Sequence, residues 1–420
     1  MKIKHPLWRT LRMLKGNQRA CVVTEPLWAI PNNLFTPFAS IYMAALGLQD
    51  VKIGVVMSIG LAMQFISSLF SGAIVDKYGR RRTMLIFGLI SWSLPCMLWA
   101  SARGYWYFLL AIILNGLWRI IGNSFSCMIV EDGDMDALVN IYTILNFLGL
   151  LAGLISPLVG LCIDRFTLVP TMRIIYLVSL VLMTVKFVIQ YRLANESKIG
   201  KQRMEECKNK SLFALTFSGW SVFVNSLRHT GLVLYVILMT LINCFNIIQA
   251  TFWPLFVTNS YGVSESMIAV FPFIKVVTTM VTYLFITSRI PMHSTKRPLL
   301  MALGTHLIGL CVLILCLPFA KAAIAAVFFS SICEAVALAV LGPLCESILS
   351  VVIPDKERAR VVSLITATIL LISIPIGAIA GQLSQHNRMF PLVLNICLLI
   401  AEMLVVIVIN HRDRKNQNSI

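Results

Sequence analysis

The chain has 420 residues, of which 58% are hydrophobic and only 13% are charged, and its mean hydropathy is +0.84. A soluble globular domain carries about 25% charged residues, so this composition excludes an ordinary soluble protein and indicates a chain embedded in lipid. The net charge of +17 would suggest nucleic-acid binding in a soluble protein, but the placement of the basic residues gives another reason for it.

The first 26 residues are basic and contain no apolar segment long enough for a cleavable signal peptide. Leu7, Trp8, Leu11 and Leu14 recur at helical spacing among basic residues. This pattern predicts either a short helix lying on an anionic membrane face or a disordered basic tail. We therefore treat residues 1–26 as a basic amphipathic N-terminus in the cytoplasm.

Twelve apolar segments follow, each close to the roughly 20 residues that a helix needs to cross a bilayer. In chain order the predicted spans are 27–47, 51–75, 84–101, 105–130, 139–163, 172–192, 231–258, 265–287, 298–319, 322–350, 361–384 and 390–410. The sequence thus predicts an all-α polytopic membrane protein. It comprises an N-terminal bundle (27–192), a cytoplasmic linker (193–230), a C-terminal bundle (231–410) and a cytoplasmic tail (411–420).

Lys and Arg residues concentrate on one side of these spans. If the N-terminus is cytoplasmic, 26 of the 35 lie in cytoplasmic segments and 6 in the opposite loops, while Arg119, Lys186 and Lys275 fall inside spans. Cytoplasmic loops retain positive charge, so we expect a multi-pass protein of the cell (plasma) membrane with both termini in the cytoplasm. The lipid bilayer then explains the basic excess, and we expect no nucleic-acid partner.

Two segment pairs repeat at a shift near 220 residues. Residues 46–53 read like 261–268, and 135–139 occupy the place of 357–361 in the other half. The repeat predicts two six-helix halves. Carriers are often built this way, with the solute site between the halves near the bilayer midplane.

The loop between spans two and three reads Gly72-Ala73-Ile74-Val75-Asp76-Lys77-Tyr78-Gly79-Arg80-Arg81-Arg82. It resembles the cytoplasmic signature of the major facilitator superfamily (MFS), in which Gly, Asp, a basic residue, a second Gly and further basic residues follow one another. The resemblance implies the MFS fold of two pseudo-symmetric six-helix bundles. It also implies transport of a small molecule by alternating access.

Particular roles follow for this signature loop. Gly72 is expected to allow close helix packing, Gly79 a tight turn with positive φ, and Asp76 an interaction with Arg80. By resemblance, these residues and the acidic loop after span four form a cytoplasmic latch, whereas the alternative is that the arginines only anchor the chain's orientation. The candidate gate residues are Gly72, Asp76, Gly79, Arg80, Arg81, Glu131 and Asp132.

Three ionisable residues near mid-depth are the leading candidates for a solute or proton-coupling site. They are Arg119 in span four, Lys275 in span eight and Glu334 in span ten. An ionisable side chain costs roughly 2.5–3.5 kcal/mol at the bilayer centre on insertion scales, so such residues are functional candidates. Asn115 and Asn123 share a helix face with Arg119 and belong to the same candidate set.

Arg119 has three possible roles. It matches the arginine of a span-four motif in proton-coupled drug antiporters, although the Gln-Gly that follows there is Gly122-Asn123 here. We consider proton coupling, binding of an anionic substrate group, and a fixed structural pair with Glu131, Asp132 or Glu334.

The other intramembrane charges also leave alternatives open. Glu334 either takes up a proton in an apolar setting or stays ionised and pairs with Lys275, which lies at similar depth. His306 and Glu402 also share a depth, which suggests a further pair.

Polar stripes mark spans one and seven. Unpaired amides are not expected to face lipid, so these side chains contact either the substrate or a neighbouring helix. The candidate substrate contacts are Asn32 and Thr36 in span one, and Asn243, Asn246, Gln249 and Trp253 in span seven.

Span five carries Gly149, Gly153, Ser156-Pro157 and Gly160, which loosely resembles a Gly- and Pro-rich antiporter motif and favours export over uptake. Close packing of a kinked helix explains the same residues equally well. We expect a monomeric, proton-coupled secondary carrier of a small organic solute, without cofactor or metal. A sugar or sugar-acid carrier is the alternative, and a non-transporting membrane sensor a remote one. An enzyme is not expected, because no nucleophile–base set, metal cluster or phosphate-binding glycine loop is present.

Overall fold

A computed structural model of the protein describes residues 11–131, 138–217, 230–287, 290, 296–319, 323–352 and 358–417. Within these ranges the regular structure is entirely helical, as the sequence predicts. Eleven helices of the described chain are long and apolar enough to cross a bilayer. The chain is a multi-span membrane protein.

These helices occupy the predicted spans two to twelve. Seven spans (two, six, seven and nine to twelve) are continuous helices: Asp50–Tyr78, Leu168–Leu193, Thr230–Ser260, Lys296–Leu315, Ala323–Val352, Arg358–His386 and Phe390–Gln417. The other four contain irregular turns. Their pieces are Arg80–Gly88, a π-helical turn Leu89–Ser93 and Leu94–Ala100; Tyr105–Asn115 and Trp118–Val130; Leu138–Gly153 and Pro157–Phe166; and Met267–Ala269 followed by Val270–Phe285.

Span one is broken into three helical pieces, Pro26–Phe35, Thr36–Phe38 and Ala39–Ala45. Pro31 and Pro37 lie within them, and proline both lacks the N–H donor and clashes with the carbonyl four residues earlier. No single piece is long enough to cross the membrane, which is why 11 candidate spans, and not 12, are found in the described residues. Together the pieces reach the roughly 20 residues of one crossing.

Short helices flank the bundles. Gly16–Thr24 precedes span one and is held to span four by Gln18, whose Nε2 donates to the Ile129 carbonyl at 2.9 Å. Lys198–Cys207 follows span six and begins at a Ser197 cap, whose Oγ accepts from the Gly200 N–H at 2.8 Å. A third helix, Leu212–Phe217, comes shortly after.

The turns that open spans two and eight share a backbone feature. Gly47 has φ of 85° and Gly262 has φ of 66°, a region that glycine enters without a steric cost. The two glycines are matched in the sequence repeat, so this part of the repeat is also structural. In the other repeated pair, 135–139 and 357–361, residues 135–137 and 357 lie outside the described residues.

The chain packs as two compact units. Unit 1 comprises Met1–Thr36, Ile59–Val159 and Arg165–Gly219, and unit 2 comprises Pro37–Ser58, Gly160–Asp164 and Trp220–Ile420. This grouping follows the two sequence halves, except that residues 37–58 and 160–164 pack with unit 2.

Large apolar side chains cover the outer faces of the spans. Leu161, Leu284, Met301 and Leu315 are 66 to 72% exposed. A water-soluble monomer rarely exposes apolar side chains in such patches, whereas lipid tails solvate them. The exposed surface therefore agrees with the membrane setting that the composition indicates.

In unit 2 the start of span two crosses span eleven with backbone against backbone. A methyl group added at Gly377 would lie 2.7 Å from the Gly54 carbonyl oxygen, and one added at Gly381 would lie 2.8 Å from the Asp50 carbonyl oxygen. Any side chain beyond glycine would push the two helices apart. The crossing therefore holds them together at the end of span two that is opposite the signature loop.

Candidate functional site

Lys275 and Glu334 form a charged pair inside unit 2. Lys275 Nζ donates to Glu334 Oε1 at 2.6 Å, and the side chains are 29% and 6% exposed. Gln249 of span seven donates through Nε2 to the other carboxylate oxygen at 2.9 Å. The sequence left open whether Glu334 takes up a proton or pairs with Lys275, and the structure shows the ion pair.

Aromatic side chains line the same place. Lys275 Nζ lies 5.2 Å from the ring centroid of Trp253, which packs edge-on against Phe271 at 5.1 Å. Trp253 is buried, and its Nε1 has no hydrogen-bond partner in the described chain. A cation against an aromatic face in a dry setting is stabilised by the ring quadrupole. The predicted residues Gln249, Trp253, Lys275 and Glu334 thus form one cluster.

Arg119 of unit 1 has a different environment. Its guanidinium lies over the Trp118 ring, 4.3 Å from the centroid, and its Nε is buried without a hydrogen-bond partner among the described residues. Glu131, one predicted partner, is bonded to Arg80 instead, and Glu334 is bonded to Lys275. Asp132 lies outside the described residues. Within the described chain no salt bridge to Arg119 is found.

Unit 1 also contains a buried charged pair. Lys186 of span six pairs with Glu25, which immediately precedes span one. Lys186 Nζ lies 3.0 Å from Glu25 Oε2, and the side chains are only 6% and 14% exposed. The rings of Trp28, Phe125 and Phe187 surround the ammonium at 5.5 to 5.6 Å. The intramembrane position of Lys186 was visible in the sequence, but its partner was not, because Glu25 lies in the flanking segment.

The signature loop forms the expected charged cluster within unit 1. Arg80 is 3% exposed, and its Nη2 lies 3.0 Å from Asp76 and 2.9 Å from Glu131. Arg81 donates through Nε to the Tyr191 carbonyl at 2.8 Å. Asp76, Arg80 and Glu131 are thus brought together as the latch hypothesis requires.

Glu196, which sequence reasoning missed, completes this cluster. Its two carboxylate oxygens accept the backbone N–H groups of Arg80 and Arg81 at 2.9 and 3.0 Å. Anions are favoured at a helix N-terminus, where N–H groups lack intrahelical partners. Ser197 adds a hydrogen bond from Oγ to Glu131. The linker after span six is therefore fastened to the signature loop.

The two glycines of the loop differ in their constraints. Gly79 has φ of 87°, as predicted, and an added methyl group would lie 2.7 Å from both Glu196 and Met204. Gly72 does not make the close approach that was expected, because a methyl group there would meet its nearest neighbour, Asn123 Nδ2, at an ordinary 3.8 Å. Gly79 is required by the backbone, whereas Gly72 has room for a side chain.

Two predicted asparagines are engaged in helix–helix contacts. Asn115 donates to the Ser91 carbonyl of span three at 2.9 Å, and Asn243 donates to Ser373 of span eleven at 2.9 Å. These bonds correspond to the interhelical alternative for the polar stripes.

The remaining candidates are less enclosed. Thr36 donates weakly to Asn32 at 3.4 Å, Asn246 is exposed, and Asn123 accepts from Cys127 Sγ at 3.9 Å. None of them joins the cluster around Lys275.

The suggested pair of His306 with Glu402 is not formed. His306 Nε2 and Glu402 Oε1 are both buried without a hydrogen-bond partner among the described residues, and the His306 ring packs against Phe245 at 4.6 Å. The similar depth predicted from the sequence therefore did not identify a pair.

Unit 2 also contains a polar cavity of about 630 Å³ at the start of span two. Asp50, on its wall, accepts from Ser384 Oγ at 2.5 Å and lies 3.2 Å from Arg388 Nε. Glu265 lines the cavity as well, and partial burial raises the pKa of its carboxyl. Asp50 and Arg388 flank predicted spans, so sequence reasoning assigned them to loops and missed their pairing.

Residues 28–378, well over half of the chain, match the sequence profile of the Major Facilitator Superfamily. The chain is 30% identical over 97 residues to "Uncharacterized MFS-type transporter YqjV" of Bacillus subtilis (strain 168), covering 23% of each protein. It is 42% identical over 66 residues to "Probable anion transporter 3, chloroplastic" of Oryza sativa subsp. japonica, covering 15% of this chain and 12% of that protein. These alignments span less than a quarter of either relative.

Among solved structures, nucleoside transporter NupG (D323A mutant) has a similar fold. The TM-score is 0.72, with 94% of this chain and 100% of that chain covered, at 13% sequence identity. This likeness concerns the fold alone. The match over residues 28–378 shows that the chain belongs to the Major Facilitator Superfamily, and the signature loop and the multi-span architecture agree with that assignment.

Proposed function

We propose that this transporter is a proton-coupled carrier of a small organic anion, in which Arg119 receives the anionic group and the Lys275–Glu334 pair couples transport to protons. The observation that carries the proposal is the lack of an acidic partner for Arg119 in the described chain. A cation at bilayer depth costs roughly 2.5–3.5 kcal/mol on insertion scales. A carboxylate or phosphate of the solute would supply the missing counter-charge.

Other acidic residues of unit 1 support this role because they already form ion pairs with other cations. Asp76 and Glu131 both bind Arg80, and Glu25 binds Lys186. Withdrawing Glu25 to neutralise Arg119 would leave the buried Lys186 unpaired, which is strongly unfavourable. Withdrawing Asp76 or Glu131 would take from the buried Arg80 one of its two carboxylate partners. The short alignment with a probable anion transporter points to the same class of solute.

The Lys275–Glu334 pair supports proton coupling. A proton on Glu334 would remove one negative charge and weaken its hold on Lys275, so a single protonation changes both the net charge and the geometry of the cluster. Intramembrane carboxylates commonly serve as proton relays in transporters. Trp253 and Gln249 border the same cluster and would contact the apolar and hydroxyl parts of a solute.

Alternating access would use two charged clusters, one within each unit. The Asp76–Arg80–Glu131 cluster would act as the latch at the signature-loop end, and the Asp50–Arg388 pair as the lock at the other end of span two. The direction rests on the partial antiporter motifs of spans four and five, which favour export. The plasma membrane, with cytoplasmic termini, is the location we infer from the charge asymmetry.

A sugar acid fits this proposal, because it combines a carboxylate with hydroxyl groups. A neutral sugar is the competing solute and would leave Arg119 without a counter-charge. The two can be separated by flux measurements in proteoliposomes, with labelled sugar acids, other organic acids, neutral sugars and lipophilic cations as probes, each with and without an imposed pH gradient.

We expect gradient-dependent flux of anionic probes, and a loss of that flux of at least tenfold in Arg119→Gln. Arg165→Gln is the matched control, since it removes the same charge from an exposed arginine at the end of span five. Flux confined to neutral or cationic probes would overturn the proposal. So would undiminished anion flux in Arg119→Gln.

A further inference from the structure

Asn395 of span twelve is a fully buried amide that continues the Lys275–Glu334 cluster. It is 0% exposed, and its Nδ2 donates to Gln249 Oε1 at 3.2 Å. Its Oδ1 is buried and has no hydrogen-bond partner among the described residues. No candidate site residue was predicted on span twelve.

Gln249 connects Asn395 to the carboxylate. Its Nε2 donates to Glu334 Oε2 at 2.9 Å, while Glu334 Oε1 accepts from Lys275 Nζ at 2.6 Å. The four side chains form one line of hydrogen bonds across spans eight, ten, seven and twelve. One end of the line is charged, and the other is a neutral amide.

We propose that Gln249 and Asn395 are positioning residues that act as a reversible amide relay, serving Glu334 in both its ionised and its protonated form. The inference rests on the proposed coupling role of the Lys275–Glu334 pair. An amide carries a donor at one end and an acceptor of nearly the same size at the other. Rotating both amides by half a turn therefore reverses the Asn395–Gln249 and Gln249–Glu334 bonds without moving other groups, and the Lys275–Glu334 bond keeps its direction.

The two directions in which these hydrogen bonds can run match the ionised and the protonated state of the Glu334 carboxyl group. When Glu334 is ionised it only accepts, and the observed order holds, with Asn395 donating to Gln249 and Gln249 to Glu334. When Glu334 carries a proton, its O–H donates to Gln249 Oε1, and Gln249 Nε2 then donates to Asn395 Oδ1. The proton resides on Glu334 in this state, and no covalent bond in the amides changes.

Asn395 is suited to the end of such a line. Its Oδ1 lacks a partner in the observed direction of the hydrogen bonds, and its Nδ2 would lack one in the reversed direction. The free-energy cost of one buried unpaired polar atom is therefore similar in both states. An apolar residue at position 249 would instead leave a buried carboxyl oxygen or O–H group unsatisfied. The other titratable groups near Glu334 are Lys275 on span eight and His306 on span nine, and Glu402 lies further along the span of Asn395.

The relay can be tested with Asn395→Asp, which keeps the shape but, when ionised, only accepts hydrogen bonds. This change should hold Gln249 with Oε1 toward Glu334 and so favour a proton there. Infrared difference spectra of the full-length protein in lipid nanodiscs would measure the protonated-carboxyl band, with Glu334→Gln identifying the share that belongs to Glu334. We expect a ratio of protonated to ionised Glu334 roughly tenfold higher than in the unsubstituted protein at the same pH, the effect of about one hydrogen bond.

Direct repulsion between two carboxylates would give a change of the same sign, and Gln249→Met separates the explanations. If the relay transmits the effect, Asn395→Asp changes the Glu334 band only when Gln249 is present, which is a double-mutant cycle. The relay is refuted if the Glu334 band is unchanged in Asn395→Asp, or if it rises equally in the Gln249→Met background.

A second measurement does not need the Asn395→Asp protein to fold. When the unsubstituted protein is titrated, the Glu334 band should appear together with a side-chain amide signal that is absent in Gln249→Met. Titration of the carboxyl without an amide signal would also overturn the proposal. Neither measurement needs a transported solute, so the relay and the anion-carrier proposal can fail independently.

Discussion

Gly377→Ala tests whether the glycine crossing holds the start of span two against span eleven. The added methyl group would lie 2.7 Å from the Gly54 carbonyl oxygen and 2.9 Å from Ser58 Oγ, whereas ordinary contacts begin near 3.4 Å. The two helices must therefore separate locally by about 0.7 Å, the difference between 2.7 and 3.4 Å. Its neighbours include backbone, which cannot rotate out of the way as a flexible side chain can.

Overpacking of this kind costs about 1–3 kcal/mol, and the cost applies only while the crossing is closed. The equilibrium should then shift toward the separated state by roughly 5- to 150-fold. Alanine also favours the helix over glycine by up to about 1 kcal/mol, but that gain is the same in both states and cancels.

A cysteine at Ala380 would report the separation. Ala380 is 0% exposed and lies three residues after Gly377, on a similar face of span eleven. In a background without the 11 natural cysteines, the labelling rate of Ala380→Cys with a water-soluble maleimide should rise with Gly377→Ala by the factor given above.

Gly304→Ala is the matched control, because a methyl group added at that position meets no atom within 4 Å. It should leave the labelling rate at the value of the parent protein. If Gly377→Ala also left it there, the crossing would not hold these two helices together, and the steric reasoning would be wrong.

Three further predictions concern the ends of the bundle. Asp50→Asn removes a charge-assisted bond worth about 1–3 kcal/mol and should raise the labelling of Ala380→Cys, whereas labelling unchanged by Asp50→Asn would show that the pair with Arg388 does not hold this end. Glu196→Gln weakens the cap on two backbone N–H groups and should lower stability by about 0.5–2 kcal/mol in thermal unfolding. The exposed Glu206→Gln is its control, and equal effects would contradict a capping role. Burial raises the pKa of Glu265 above the ordinary carboxyl value of 4.5. At pH values just above 4.5 the folded state therefore binds more protons than the unfolded state, and the free energy of unfolding should fall as the pH rises through this range. Glu265→Gln should flatten this dependence in melting curves, and an unchanged slope would contradict it.

The sequence was sufficient for properties that depend on local chemistry. The length of the apolar segments predicted the spans, because a helix in lipid must satisfy its own backbone hydrogen bonds. The positive φ of Gly79 was predictable for a similar reason, since only the absence of a Cβ matters there. The break in span one falls at Thr36–Phe38, around Pro37, where a proline interrupts the helical hydrogen bonds.

Only the tertiary structure decided which polar groups meet. Lys275 and Glu334 pair while His306 and Glu402 do not, although both pairs share a depth, because pairing depends on which helix faces are turned toward each other. Glu25, Asp50, Glu196 and Asn395 were missed for the same reason. Their partners lie between about 115 and 340 positions away for the first three and 146 positions away for Asn395, and hydropathy gives no information about contacts over such separations.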